Sequence, residues 1–435
     1  MALEQSGVPT VAVHTQAFAR LVKSVTRVNG MPSARQAFVP HPVVGRSPAE
    51  LRAYIEGPDP IGKRPFIQVM IEGLTGPFTD EDLHGVSFER STPRLMEADT
   101  GDNLQRLFME NNWTDFMPVI LPTEERVEQM LQGTSHPADQ VVGRLRPTSF
   151  REFWEFTVEK VAVNAVMAGA SPEYFPVILA LAASGMTARS SSTTSFATIA
   201  VVNGPIRNEI GMNAGIGAMG PYNHANTSIG RAYGLLSQNL QGGSVPNETY
   251  MGSTGNCFSY SAVYPENEER SPWEPLHVQC GAKPGDNTVS LFFGGWYLLS
   301  GFGPRDTWQD TFSRSLAACD VFTEPVIILD PVAAQGFVER GFDSKRKLID
   351  WCAEHGRLKA RDYWDNQSVQ TIYRPLAVSG VEPYASHLKA GPDDYIRIFG
   401  ADKINIVVLG GGTQGAWKML SGMKRSDPVS IDAWR

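Results

Sequence analysis

Thr198-Ile-Ala-Val-Val-Asn-Gly204 is a run of β-branched and small apolar residues that stops at Asn203-Gly204-Pro205. We read a strand over Phe196–Val202 and a break after it. Two more segments have the same form, Val289-Ser-Leu-Phe-Phe-Gly-Gly295 and Asn405-Ile-Val-Val-Leu-Gly-Gly411. Between them, helical patterning over 307–320 and 343–354 brackets a strand at 325–329. Strands alternating with helices predict an α/β body with a weak internal repeat. In such sheets ligands collect at the carboxyl ends of strands, where Gly204, Gly410 and Gly411 lie. Glycine there lets backbone amides approach a ligand or an anion.

Working upstream, Phe150 to Met167 has apolar residues at helical spacing, with Thr148 or Ser149 as cap. Gly169 ends that helix, and Pro172 opens a second one through about Ala183. The stretch 133–146 reads as a linker and Glu124–Leu131 as a helix, and Ser47 caps a helix starting at Pro48. At the beginning, a strand at 8–14, an amphipathic helix at 16–28 and a strand at 36–39 run into Pro40-His41-Pro42. This is a partial β-α-β unit with no upstream strand beside it, so we expect either a truncated unit or a partner that supplies the missing strands. Three regions result: a partial α/β domain over 1–85, a connecting region over 86–147, and the α/β body over 148–435.

The chain has 435 residues, 42% hydrophobic and 19% charged, which fits a globular protein with ample core. A net charge of −8 with scattered basic residues argues against nucleic acid as a partner. No apolar run approaches the roughly 20 residues needed to cross a bilayer. The opening Met-Ala-Leu-Glu-Gln lacks the basic and apolar regions of a secretory signal, so a cytoplasmic location is expected. Four cysteines without CxxC spacing build neither a disulfide framework nor a structural zinc site. Of these, Cys319 and Cys352 sit in apolar helical stretches and read as packing residues.

Two loops hold the candidate chemistry. The first, Asn256–Val278, carries Cys257, Glu266, Glu268, Glu269, Glu274, His277 and a Trp273 set between prolines. Pro265, Pro272 and Pro275 deny it a regular helix or a central strand, so it is expected to be a shaped loop. A thiol can act as nucleophile, with carboxylates and an imidazole moving protons beside it. The bland alternative is a solvated acidic loop with Trp273 as a core plug. The second loop holds Asn203, Gly204, Asn213, Asn223, His224 and Asn226. Asparagine amides orient polar substrates without adding charge, although asparagine and glycine also simply tolerate tight turns. A helix over Thr227–Leu240 follows and bears Arg231, suited to a substrate carboxylate.

No cofactor is predicted. Gly410-Gly-Gly-Thr-Gln-Gly415 follows a strand and opens a possible helix, which superficially fits a dinucleotide fingerprint. That fingerprint needs a βαβ unit with an acidic residue about 20 positions on, and there is no room for one. No GxxxxGK[ST] occurs either.

Gly7-Val-Pro-Thr-Val-Ala-Val-His-Thr15, followed by Phe38-Val-Pro-His-Pro-Val-Val-Gly45, resembles the UGSC (seleno)protein family. It is similar also to the selenoprotein subunit of glycine reductase component B. Residues 159–182, 201–226 and 257–278 resemble a large region that accompanies UGSC-type modules. In the family a Cys- or selenocysteine-bearing motif precedes the strand, and a Pro-His-Pro turn follows it. Pro40, His41 and Pro42 match that turn, whereas no cysteine precedes Cys257.

The resemblance implies a nucleophilic sulfur attacking an activated carbon, in cleavage, transfer or reduction at a C–S or C–N bond. The expectation is the large subunit of a two-component enzyme whose small UGSC-like partner carries the Cys or Sec. His41 would then sit near the partner's thiol. Glu266, Glu268 and His277 would be the acid/base groups, and Cys257 a second or resolving thiol. The substrate pocket would be lined by Asn203, Gly204, Asn213, Asn223, His224, Asn226, Arg231, Trp273, Glu274, Gly410 and Gly411. One alternative is a metal-dependent hydrolase or lyase using Glu266, Glu268, Glu269 and His277, although no HxxxH or HxH spacing supports it. Another is a non-catalytic binding subunit with an inert Cys257.

Overall fold

A computed structural model describes residues 2–28, 30–86, 93–144, 155–189, 197–241, 250, 252, 254–256, 262–295, 297–321, 323–421 and 424–435. Cys257, the cap candidates Thr148 and Ser149, and the hydroxyl-rich stretch 190–194 lie outside the described residues.

The N-terminal unit is the expected β-α-β. Strand β1 (Ala12–Thr15) pairs in parallel with β2 (Gln36–Val39), and α1 (Ala19–Val28) joins them. Helix α2 (Pro48–Glu56) starts at Ser47, whose hydroxyl and backbone N–H both engage Glu50 in a capping box. Helix α3 (Phe66–Thr75) lays Phe66 on Ala37 and Val39, closing a small core of its own. The Phe38 N–H donates to Asp59 Oδ2 at 2.7 Å, so a carboxylate covers the outer edge of β2. The outer edge of β1 has no strand partner among the described residues, and Val13 on it is 48% exposed.

The rest of the chain builds four layers. Helices α4 (Gly101–Glu110), α5 (Glu124–Leu131), α6 (Val158–Met167), α7 (Phe175–Ala183) and α8 (His224–Asn239) form the first. The first sheet contains β3 (Ala197–Asn203), which pairs in parallel with β4 (Val263–Pro265) and antiparallel with β5 (Thr288–Gly295). A short helix, α9 (Leu276–Gln279), lies between β4 and β5. The second sheet contains β6 (Tyr297–Phe302), β7 (Val326–Leu329), β8 (Asn405–Val408) and β9 (Ala416–Ser421). Helices α10 (Trp308–Ala318), α11 (Pro331–Val338) and α12 (Lys345–His355) form the last layer.

Strand alternation assigns the faces. In β3, Ala200 and Val202 join the core of the first helical layer, whereas Ile199 and Val201 face the second sheet. In β7, Ile328 and Val326 meet them, while Ile327 and Leu329 pack under α10, α11 and α12. Both sheets are therefore buried on two sides, which explains strands that read as near-continuous apolar runs.

The two sheets repeat one plan. In each, a strand pairs in parallel with the next of its set and antiparallel with the third: β3, β4 and β5 in one, β7, β8 and β9 in the other. The following strand then changes sheet. After β5, β6 pairs with β9; after β9, β10 (Lys424–Arg425) pairs with β5. Strand β11 (Val429–Ser430) adds to β5 as well.

Several expectations need correction. The three look-alike segments are β3, β5 and β8, which hold different places in the plan. They resemble one another because any doubly buried strand ending in a tight turn looks this way. Gly410–Gly415 leads into strand β9 rather than a helix, since Trp417 and Met419 alternate with Lys418 and Leu420 across two faces. The helix expected from Phe150 begins at Val158, capped by Thr157 after a three-residue strand, Glu155–Thr157. The loop 256–278 is not wholly irregular: it holds β4, where Pro265 is tolerated on an edge strand, and α9, which starts just after Pro275. The connecting region contributes Phe108, Val119, Val127 and Met130 to the same core as α6.

Candidate functional site

The carboxyl ends of β3 and β4 meet in a polar knot. Asn203 Nδ2 donates to Glu266 Oε2 at 2.7 Å and to Glu268 Oε1 at 2.9 Å. The Gly204 N–H donates to Glu268 Oε1 at 2.8 Å. Gly204 has φ +94°, and a Cβ there would lie 2.7 Å from Asn287 Oδ1, so only glycine makes this turn. Glu266 also accepts from the Leu276 N–H at 2.7 Å and pairs with Lys345 Nζ at 3.0 Å, both side chains being fully buried. Its remaining bond comes from the Val408 N–H in the second sheet, so this carboxylate ties the two sheets and α12 together. Arg207 binds the Glu266 carbonyl and both oxygens of Glu269, and it holds the Glu269 carboxyl down at about 2.

His277 is fully buried, and neither ring nitrogen has a hydrogen-bond partner among the described residues. The same holds for Asn203 Oδ1, Thr288 Oγ1 and Ser290 Oγ. Strand register sets Asn203 opposite Thr288 and Val201 opposite Ser290, all on the face between the sheets. Buried donors and acceptors of this kind gain most from a polar ligand or ordered water.

Beside the knot lies a cavity of about 260 Å³ between the 216–220 loop and Gly410–Gly411. The Gly410 N–H donates to the Ala214 carbonyl at 2.8 Å, and Asn267 Nδ2 donates to the Gly410 carbonyl at 3.0 Å. A Cβ on Gly411 would come 3.0 Å from Ile216 N, so the turn and the loop touch backbone to backbone. Asp330 lines the wall, but its oxygens accept from the Ala333 and Ala416 N–H groups. Lys418 lines it too, half-buried on β9, with no hydrogen bond or ion pair among the described residues. Sequence reading missed Lys418, although a lysine facing the same way as Leu420 in a buried strand was a signal.

The asparagines mostly bind their own loop. Asn213 accepts from the Gly215 N–H, Asn223 caps α8 by accepting from the Asn226 N–H, and Asn226 clasps the Asn213 backbone. His224 Nδ1 lies 3.2 Å from the Tyr174 hydroxyl at the start of α8. Arg231, expected to receive a substrate carboxylate, instead forms a two-bond fork with Asp115, both bonds at 3.0 Å. Trp273 is buried in the core under α10 and donates to the Phe342 carbonyl, whereas Glu274 is exposed. His41 belongs to the N-terminal unit, where its Nδ1 lies 3.0 Å from Thr15 Oγ1 and Phe18 meets its ring edge-on.

Among the described thiols, burial pushes Cys319 up to about 12 and Cys352 further. Cys280, which sequence reading passed over, is half-buried three residues after His277, with the Arg425 guanidinium on its sulfur. Burial raises its pKa, and Arg425 and Lys345 pull it partly back. Among the described residues no three His, Cys, Asp or Glu side chains gather to hold a metal. Glu266, Glu268 and Glu269 spend their oxygens on Lys345, Arg207 and amides instead.

Fold and site together define an α/β protein with a partial β-α-β unit and a layered body carrying a glycine-lined cavity. The model of the UGSC family matches residues 1–57, so the resemblance noted at the Pro-His-Pro turn holds over that segment. No curated protein matches the chain. No helix among the described residues is long and apolar enough to cross a membrane.

Proposed function

We propose that this chain is the substrate-holding part of a two-component enzyme with thiol chemistry, and that a small Cys- or Sec-bearing protein docks at the open edge of β1. The observation that carries the reading is the asymmetry of the small sheet. Asp59 covers one edge, while the other has no strand partner among the described residues and carries a half-exposed Val13 on the strand whose Thr15 meets His41. An open edge is a template for strand addition. The family match over residues 1–57 supports sulfur as the partner's contribution.

His41 fits the role of thiol activator. If its Nδ1–H donates to Thr15 Oγ1, Nε2 presents a lone pair that can take the thiol proton. The thiolate then forms a C–S bond at an activated carbon as a C–N or C–S bond breaks. The leaving atom departs with the electron pair and is protonated. The glycine-lined cavity and Lys418 would hold the polar substrate. Cys280, Cys319 and Cys352 form no disulfide among the described residues, which suits a reducing compartment such as the cytoplasm.

The test is affinity purification of the full chain from its native host with mass spectrometry. A stoichiometric small protein with a Cys or Sec near a strand is expected, and Val13→Glu should release it without changing the circular dichroism spectrum. Recovery of a well-folded chain alone would sink the two-component reading.

A further inference from the structure

A second, larger cavity lies on the other side of the Gly410–Gly415 turn, with a volume of about 810 Å³. Arg270, Arg305 and Arg340 line it, and the one lining carboxylate is Glu339. None of the three arginines forms an ion pair among the described residues, although every carboxylate of the neighbouring polar knot is bonded. Arg340 spends one nitrogen on the Gly336 carbonyl at 3.0 Å, and Arg305 makes no side-chain bond there.

All three arginines are exposed, and the backbone brings them to one turn. A Cβ on Gly412 would lie 3.0 Å from both Cζ and Nη1 of Arg270, so the bare turn lets the guanidinium lie across it. The Gly303 N–H donates to the Gly415 carbonyl at 2.7 Å, which fixes Arg305 relative to the same turn. A Cβ on Gly336 would meet Pro304 Cδ at 2.8 Å, so α11 and the 303–305 segment approach closely at this wall. Phe302, Pro304 and Val332 supply apolar surface beside the charges. The first turn of α11 is at the wall as well, but Asp330 already caps it, so the arginines decide the charge.

Three guanidiniums against one carboxylate leave the lining with two uncompensated positive charges. Guanidinium forks match planar oxyanions in geometry as well as charge. We propose that this cavity binds a small organic dianion, its two negative charges on the arginines and its carbon skeleton on Phe302, Pro304 and Val332. A dicarboxylic acid and a phosphate monoester share that chemistry. Neither the open edge of β1 nor His41 reaches this cavity's lining, so dianion binding and partner docking are separable.

Calorimetric titration of the full chain at low salt tests it, with succinate, adipate and inorganic phosphate as probes and butyrate as the single-charge control. A dianion should bind saturably and weaken as salt approaches about 0.5 M. Arg305→Gln and Arg340→Gln should each lower its affinity about tenfold. Arg305→Gln removes no side-chain bond among the described residues, so the fold should be kept, which circular dichroism checks. Binding of phosphate alone would assign a phosphate ester, and binding of a dicarboxylate alone a dicarboxylic acid. No binding at about 10 mM, equal binding of butyrate, or binding unchanged in the double variant would overturn the proposal.

Discussion

Glu266 is the residue on which most of the architecture converges, with partners from β3, α9, α12 and β8. Glu266→Gln keeps the shape but strands the fully buried Lys345 ammonium. Breaking such a pair costs about 3–5 kcal/mol, so urea unfolding should show a loss of that order. Replacing both partners together, Glu266→Leu with Lys345→Met, should cost less than the single change. Glu269 carries a pH signature. Its folded pKa, about 2, lies below the ordinary 4.5, so the stability it contributes is present above 4.5 and is lost as pH falls toward 2. Its side chain is 54% exposed, and solvent screening limits the effect to about 1 kcal/mol. Comparing Glu269→Gln with the parent chain at pH 7, pH 3 and pH 2 should show a difference that is largest at pH 7 and shrinks as pH falls toward 2. Cys280 sits above the ordinary thiol pKa, so its alkylation should be slow at neutral pH and accelerate toward alkaline pH.

At the scale of elements, the glycine turns act as spacers between backbones. Alanine at Gly411 would press on Ile216 N and Cα at 3.0 and 3.1 Å, and both are backbone atoms that cannot swing aside. Gly411→Ala should therefore destabilise by about 1–3 kcal/mol in chemical denaturation. The elements that could be read from the chain were those set by local rules. Glu124–Leu131 and Gln36–Val39 fall where periodicity puts them, and Ser47 caps α2 because its hydroxyl reaches Glu50 N three residues away. The turn at Gly410 was legible as a turn, but the helix after it was not to be had. The alternating faces of β9 matter only once the first sheet lies on one side and the helices α10–α12 on the other.

At the scale of the whole molecule, β6 and β10 exchange sheets, so neither sheet is complete within one half of the sequence. Removing residues 416–435 would take β9 from the middle of the second sheet and β10 and β11 from the first. The truncated chain should give no cooperative unfolding transition and should be digested rapidly by protease. A cooperative transition at near-parental denaturant would show that the exchanged strands are dispensable. The N-terminal unit, closed by its own core of Ala37, Val39 and Phe66, does not share that dependence.

Many strand and helix positions, the Ser47 cap and the glycine stops were legible in the sequence alone, because backbone sterics and apolar spacing act over a few residues. The candidate loops were also visible there, since Glu266, Glu268, His277 and the asparagines cluster in the chain itself. Only the tertiary structure decided what these residues do. It gave Glu266 a lysine 79 positions away, filled the Arg231 fork with Asp115 from 116 positions away, and brought Arg270 to the cavity of Arg305 and Arg340. Ion pairing and strand exchange depend on which surfaces meet when the core closes, and spacing along the chain carries no record of those meetings.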